Sequence, residues 1–108
     1  SKLMANSSIE QVCVTGSQLK QPIGLVVLSV EALKLPAADI EQSLLATLNE
    51  VNSTLESHAV LDCLIVMKDE WTVDNGLLTP TLKVKRHNLE DHYESLINGQ
   101  LSGKIAWQ

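Results

Sequence analysis

Residues 23–30 read IGLVVLSV, from Ile23 to Val30, and a run this apolar suits a strand covered on both faces. A strand without a polar side needs a layer above it and another below, so its neighbours decide the fold. Before it, Ile9 to Thr15 (IEQVCVT) carries β-branched residues and then meets Gly16-Ser17, a turn signal. The short connector GSQLKQP makes an antiparallel pair the economical arrangement. After it, Pro36 opens a helical pattern, with Asp39 and Glu41 suited to the positive end of the helix dipole. Ile40, Leu44, Leu48, Val51 and Leu55 recur at spacings of four, four, three and four, one apolar stripe on a helix expected to end near Ser57. Val60 to Met67 (VLDCLIVM) reads as the third strand.

The last third changes character. Asp69-Glu70-Trp71-Thr72 leads into Asn75-Gly76, whose tolerance of positive φ marks a tight turn. Leu77 to Arg86 reads LLTPTLKVKR, where Pro80 lacks a donor and favours an extended loop. Asn88 is placed to cap a final helix, with Asp91 at its third position. Leu89, Tyr93, Leu96 and Ile97 form that helix's apolar face, and Gly99 ends it. The order of elements predicts an α+β domain. Its small sheet has about three main strands, an antiparallel pair plus one, flanked by helices and carrying a loop or hairpin.

With 108 residues, 44% hydrophobic and 19% charged, the chain fits a single domain over residues 1–108. There is little room for a nucleotide-sized pocket beside a second substrate pocket. SKLMAN at the start reads as the last turns of a helix without its beginning, so a piece of a longer chain is expected. No apolar run approaches a membrane span, and no basic-then-apolar signal pattern opens the chain. A net charge of -5 disfavours non-specific nucleic-acid binding. Trp71, Tyr93 and Trp107 are the only aromatic rings besides histidine, too few for base-stacking platforms. Cys13 and Cys63 sit in strand-like stretches and read as reduced, buried thiols, with a disulfide as the alternative. His58, His87 and His92 make no metal site: His87 and His92 are five apart and face different ways on a helix.

Charge is uneven. Residues 1–60 carry three lysines against six acids, and residues 61–82 carry Lys68 against four. Residues 83–87 then hold Lys83, Lys85 and Arg86, the only arginine, with no acid among them. Two readings stay open from the residues alone. Cations on an edge strand discourage aggregation; a lysine presented by a Pro-stiffened loop contacts a phosphate or carboxylate.

The run EWTVDNGLLTPTLKVKR, Glu70 to Arg86, resembles the C-terminal subdomain of AMP-forming acyl-CoA synthetases, especially the long-chain fatty-acid branch. Glu70, Trp71, Thr72, Asn75, Gly76, Leu78, Thr79, Pro80, Thr81, Lys83, Lys85 and Arg86 stand in that branch's register. The resemblance reaches back through IEQVCVTG and forward through the helix with His92, Tyr93 and Ile97, covering almost the whole chain. The wider superfamily usually writes the loop T-P-S-G-K-I-x-R, which puts Lys83 on the adenylation lysine and Arg86 on the motif arginine. Ser102-Gly103-Lys104-Ile105 also spells S-G-K-I, but it lacks the Thr-Pro before it and has Trp107 where the arginine belongs. It is read as a tail element.

The resemblance implies a fatty-acid–CoA ligase, which joins fatty acid and CoA at the expense of ATP through an acyl-adenylate, releasing AMP and pyrophosphate. This chain would be its mobile C-terminal lid, inactive alone, with ATP and Mg2+ belonging to the parent enzyme and none bound by the isolated domain. The N-terminal AMP-binding domain would hold the fatty-acid tunnel, the magnesium ligands and nearly all nucleotide contacts. Lys83 would place its ammonium between carboxylate and α-phosphate on a catalytic loop supported by Gly76, Thr79, Pro80, Thr81 and Arg86. Lys85 and Arg86 would meet CoA phosphates or pair with an acidic large domain, the second being preferred. Trp71 would pack against the sheet or the parent domain, and Glu90, Asp91 and Glu94 would form a solvated helix face. The expected location is cytoplasmic, or peripheral to a membrane in the intact enzyme. Two alternatives are a free-standing, non-catalytic interaction module and the lid of a synthetase for another carboxylic acid.

Overall fold

A computed structural model describes residues 2–16, 18–99 and 103–108. Ser1, Ser17 of the Gly16-Ser17 turn and Ser102 of the S-G-K-I run lie outside the described residues. A single 3-10 turn over Lys2–Ala5 stands where the end of a helix was expected. Strand β1 (Ile9–Thr15) pairs antiparallel with β2 (Ile23–Leu28), from Thr15↔Ile23 to Ile9↔Leu28, with an irregularity between Ile9 and Gln11. Every residue of β2 is buried, as its lack of a polar face requires. The strand stops short of Val30 because Ser29 turns the chain: its hydroxyl accepts the Ala32 N–H at 3.2 Å.

Helix α1 (Ala37–Asn52) follows Pro36 and buries Ile40, Leu44, Leu48 and Val51. It ends well before Ser57. Asn52, its last residue, grips Leu61 with its side chain, accepting the Leu61 N–H at 2.9 Å and donating to the Leu61 carbonyl at 3.0 Å. The Ser53 and Thr54 hydroxyls donate to the carbonyls of Glu50 and Val51, which closes the last turn. Strand β3 (Leu64–Val66) is three residues long, shorter than the apolar run predicts, and lies parallel to β2. Gly24 permits that approach: a Cβ there would stand 2.6 Å from Leu64 Cδ2.

The last helix is shifted and divided relative to expectation. Helix α2 (Arg86–His92) begins two residues before Asn88, and Tyr93 separates it from α3 (Glu94–Ile97). Asn88 is therefore not the cap; its side-chain amide donates to the Gly76 carbonyl at 3.1 Å. A fourth strand, β4 (Ile105–Trp107), adds parallel to β3, giving the order β1-β2-β3-β4. The S-G-K-I tail thus feeds a strand: Ile105 opens it and the Lys104 carbonyl accepts the Leu64 N–H at 2.8 Å.

Alternation along the strands divides the core. Ile23, Leu25, Val27 and Ile65 face one side with Trp71, Leu77, Leu78, Leu89, Tyr93 and Ile97. Val26, Leu28, Leu64 and Val66 face the other side with α1 and Leu3. Cys13 and Cys63 are both free and buried, one residue outside β3 in the case of Cys63. Among the described residues no helix is long and apolar enough to cross a membrane.

Two outcomes follow from this core. Leu44 has no exposed surface, so Leu44→Ala should lower stability by about 3 kcal/mol, read from the urea midpoint. Burial, with Asp62 adding and Lys104 opposing, pushes the Cys63 thiol from 9.0 up to about 11. The folded state then keeps a proton that the unfolded chain releases, so the contribution of Cys63 to stability is fully present below pH 9 and is lost as pH rises towards 11. Urea titrations across that window should show a shallower fall in Cys63→Ala.

Candidate functional site

The basic cluster is carried by a platform tied to β1. Gln11 uses both ends of its amide on the Trp71 backbone, accepting the N–H at 2.8 Å and donating to the carbonyl at 2.8 Å. Trp71 itself is 1% exposed and belongs to the core, so its packing lies within the domain. Burial pushes the Tyr93 phenol up and the nearby Trp71 indole N–H opposes this, though Nε1 reaches no partner at full hydrogen-bond geometry. Downstream, Thr72 and Asn75 close a turn reciprocally: Asn75 Oδ1 accepts the Thr72 N–H at 2.9 Å, and Thr72 Oγ1 accepts the Asn75 N–H at 3.0 Å. Gly76 completes it at φ +80°, the conformation the Asn75-Gly76 pair predicts.

The chain then makes a small hairpin rather than an extended loop. Leu78 and Val84 pair antiparallel, and the Lys85 N–H donates to the Leu77 carbonyl at 2.9 Å. Pro80, Thr81 and Leu82 form the tip. The Leu82 N–H donates to the Thr79 carbonyl at 2.8 Å, and the Thr79 N–H donates to the Lys83 carbonyl at 2.8 Å. Thr79 Oγ1 also accepts the Lys83 N–H at 3.0 Å and lies 3.1 Å from Thr81 Oγ1. This is a three-residue loop whose last residue must adopt a left-handed conformation, and Leu82 does so at φ +66°. Pro80 suits the second position of the tight turn because its φ is already fixed.

The hairpin brings Thr79, Pro80, Thr81 and Lys83 together; Gly76 and Arg86 stand at its root. Lys83, Lys85 and Arg86 are exposed, and none forms a salt bridge among the described residues. Arg86 differs from the other two: its guanidinium donates to the Val14 carbonyl at the end of β1. That contact makes it a strut between hairpin root and sheet, in keeping with the loop-supporting place the sequence reading gave it beside the phosphate and second-domain contacts. Glu90 also departs from the solvated face expected of it, since Thr15 Oγ1 donates to its carboxylate and its side chain is only 28% exposed. Asp91 and Glu94 are exposed as expected. No group of three or more His, Cys, Asp and Glu among the described residues is arranged to hold a metal.

Three surface clefts of about 310 to 340 Å3 are lined by other parts of the chain, and none includes a residue of the hairpin. Lys83 is exposed on the return arm of the hairpin. Sequence reasoning missed Leu82, Gln11 and the Val14 carbonyl. A signal existed for the first, because the superfamily's loop has glycine at the Leu82 position. Gln11, a long polar side chain inside a strand, signalled only that some partner was needed.

A family model for the C-terminal domain of AMP-binding enzymes matches residues 1–103. No curated protein matches the chain by sequence. Among solved structures, the chain is similar to the A-PCP didomain of carboxylic acid reductase from Segniliparus rugosus in complex with AMP, at 24% identity and a TM-score of 0.72. It is also similar to the adenylation domain of a carboxylate reductase from Mycobacterium chelonae, at 26% identity and a TM-score of 0.74. The alignments cover 89% and 88% of this chain but only 14% and 16% of those chains.

The tie to β1 should be measurable. Gln11→Ala leaves a backbone donor and acceptor of Trp71 unpaired in a part-buried place, with an expected loss of about 2 kcal/mol. Urea unfolding followed by fluorescence in a Trp107→Phe background, where Trp71 is the remaining indole, reports both the loss and the loosening of that indole.

Proposed function

The chain belongs to the family of C-terminal domains of AMP-binding enzymes, and from that membership we propose that it is the mobile lid of an adenylate-forming enzyme. Residues 1–108 form this lid, and a larger AMP-binding domain of the same enzyme receives it. The lid supplies one lysine to the activation of a carboxylic acid by ATP. A carboxylate oxygen attacks the α-phosphorus, pyrophosphate leaves, and an acyl-adenylate results. The observation that carries this reading is the placement of Lys83. Its ammonium follows a hydrogen-bonded turn, is exposed, and has no acidic partner among the described residues.

Physical chemistry says why such a lysine needs a receiving surface. At 4 Å, an ammonium and an anion interact by about 1 kcal/mol in water and about 4 kcal/mol at an effective dielectric of 20. Lys83 becomes strong only when a second surface excludes water around it. A compact three-donor ammonium also suits a position between carboxylate and phosphate better than a planar guanidinium. Thr79, Pro80 and Thr81 hold the turn, and Gly76 and Arg86 hold its root. Lys85, exposed and without an ion pair among the described residues, takes the contact with an acidic domain surface or a phosphate. ATP binds mainly to the larger domain, and any Mg2+ is held there or by the phosphates. The lid alone therefore binds neither ATP nor CoA tightly and turns nothing over.

The acceptor divides two forms of the proposal. LTPTLKVKR supports a long-chain fatty-acid–CoA ligase, in which the CoA thiol attacks the acyl carbonyl and AMP leaves. The likeness to carboxylate reductase adenylation domains supports a lid for another carboxylic acid and another acceptor. Both share the adenylation step, and Lys83 serves it in either. Acyl-CoA formation from fatty acid, ATP and CoA by the intact enzyme selects the first; adenylation without transfer to CoA selects the second.

Lys83→Ala in the intact enzyme should slow carboxylate-dependent ATP–pyrophosphate exchange by about a hundredfold or more, equivalent to roughly 3 kcal/mol. Acyl transfer from pre-made acyl-adenylate should be largely spared. Equal losses in the two half-reactions would remove Lys83 from this role.

A further inference from the structure

Two unfavourable features coincide at Leu82. Its side chain is 69% exposed, the highest value among the exposed large hydrophobics of the described residues. Its backbone φ of +66° is the only positive value outside glycine among those residues. Glycine would remove both features, since it adopts the left-handed region freely and exposes no apolar atoms. The turn cannot relax around Leu82 either. Its own N–H is bound to the Thr79 carbonyl, and the next residue's carbonyl accepts the Thr79 N–H, both at 2.8 Å.

The position of this residue gives the strain a use. Leu82 and Lys83 are consecutive, with Cα atoms about 3.8 Å apart, and both are exposed at the hairpin turn. A surface that closes over the Lys83 ammonium and expels water must also meet the side chain beside it. We infer that Leu82 is a positioning residue, whose side chain packs on an apolar part of the larger domain as the lid closes for adenylation. That contact sets how deeply Lys83 enters. The inference rests on the lid reading, and it adds the residue that seats the lysine.

Three substitutions in the intact enzyme separate strain from contact. Leu82→Gly relieves the backbone and removes the side chain; Leu82→Asn suits a left-handed conformation but is polar; Leu82→Met stays apolar. For each variant, kcat and KM are measured in carboxylate-dependent pyrophosphate exchange, together with acyl transfer from pre-made adenylate and thermal unfolding. Gly and Asn should lower kcat for exchange about tenfold, the lower end of what a newly buried leucine contributes. Their KM values, acyl transfer and thermal midpoint should not fall. Met should retain most of the exchange rate. Gly matching or exceeding the parent rate, or Met failing as badly as Asn, overturns the inference. Lys83→Ala run alongside distinguishes the causes: if it slows exchange while Leu82→Gly does not, only the role of Leu82 falls. If Lys83→Ala leaves exchange intact, the lid reading falls and this inference with it.

Discussion

Leu25 and Val26 are neighbours on β2, each without exposed surface, and they point into different halves of the core. The domain holds together only if both faces of that strand are covered at once. A single amphipathic helix, α1, covers the Val26 side. Among the described residues the Leu25 side has no helix of comparable length and is covered by Trp71, Leu77, Leu78 and the short α2 and α3. Leu77 and Leu78 are therefore core residues at the root of the hairpin. Thr79 follows Leu78 directly, so the burial that completes the sheet also anchors the segment presenting Lys83.

That arrangement explains how a short surface hairpin keeps one geometry. A two-stranded hairpin alone is marginal in water. Here its root is buried, its preceding turn is closed by Thr72 and Asn75, and Gln11 fastens Trp71 to β1. Arg86 adds a contact from the other arm to Val14. Both arms are thus referred to the same strand. Motion of the tip relative to the sheet would have to break several of these contacts, whereas the tip residues themselves are free to meet another surface.

Much of the fold was legible because it rests on local periodicity. The stripe from Ile40 to Val51 and the unbroken run of β2 read directly, and the antiparallel β1–β2 pair followed from a short connector. Element ends were less legible, because side chains far along the chain decide them: Asn52 stops α1 by holding Leu61. Strand β4 was hidden for a similar reason. Ile105, Ala106 and Trp107 become a strand only because Leu64, Ile65 and Val66 lie open beside them. At the site, the register of Thr79 to Arg86 was legible as a motif, but the contacts that orient it were not. Nothing in the one-dimensional pattern relates Gln11 to Trp71 or Arg86 to the Val14 carbonyl.

The charge distribution acquires a division of labour from the same contacts. The chain is acidic overall, at -5, and its densest cationic run lies on the hairpin. Arg86 spends its guanidinium on a backbone carbonyl, which removes one cation from the tip and fixes the root. Lys83 and Lys85 remain, separated by Val84, whose side chain packs against the core. Val84 is the bridged residue of the return arm and is partly buried, whereas Lys83 and Lys85 on either side of it are exposed. Packing Val84 against the core thus leaves an exposed lysine on each side of it. An isolated lysine could drift among many rotamers in water; Lys83, beside a partly buried valine, starts from a hydrogen-bonded backbone. Pre-organisation of this kind lowers the reorganisation needed when an ammonium meets an anion.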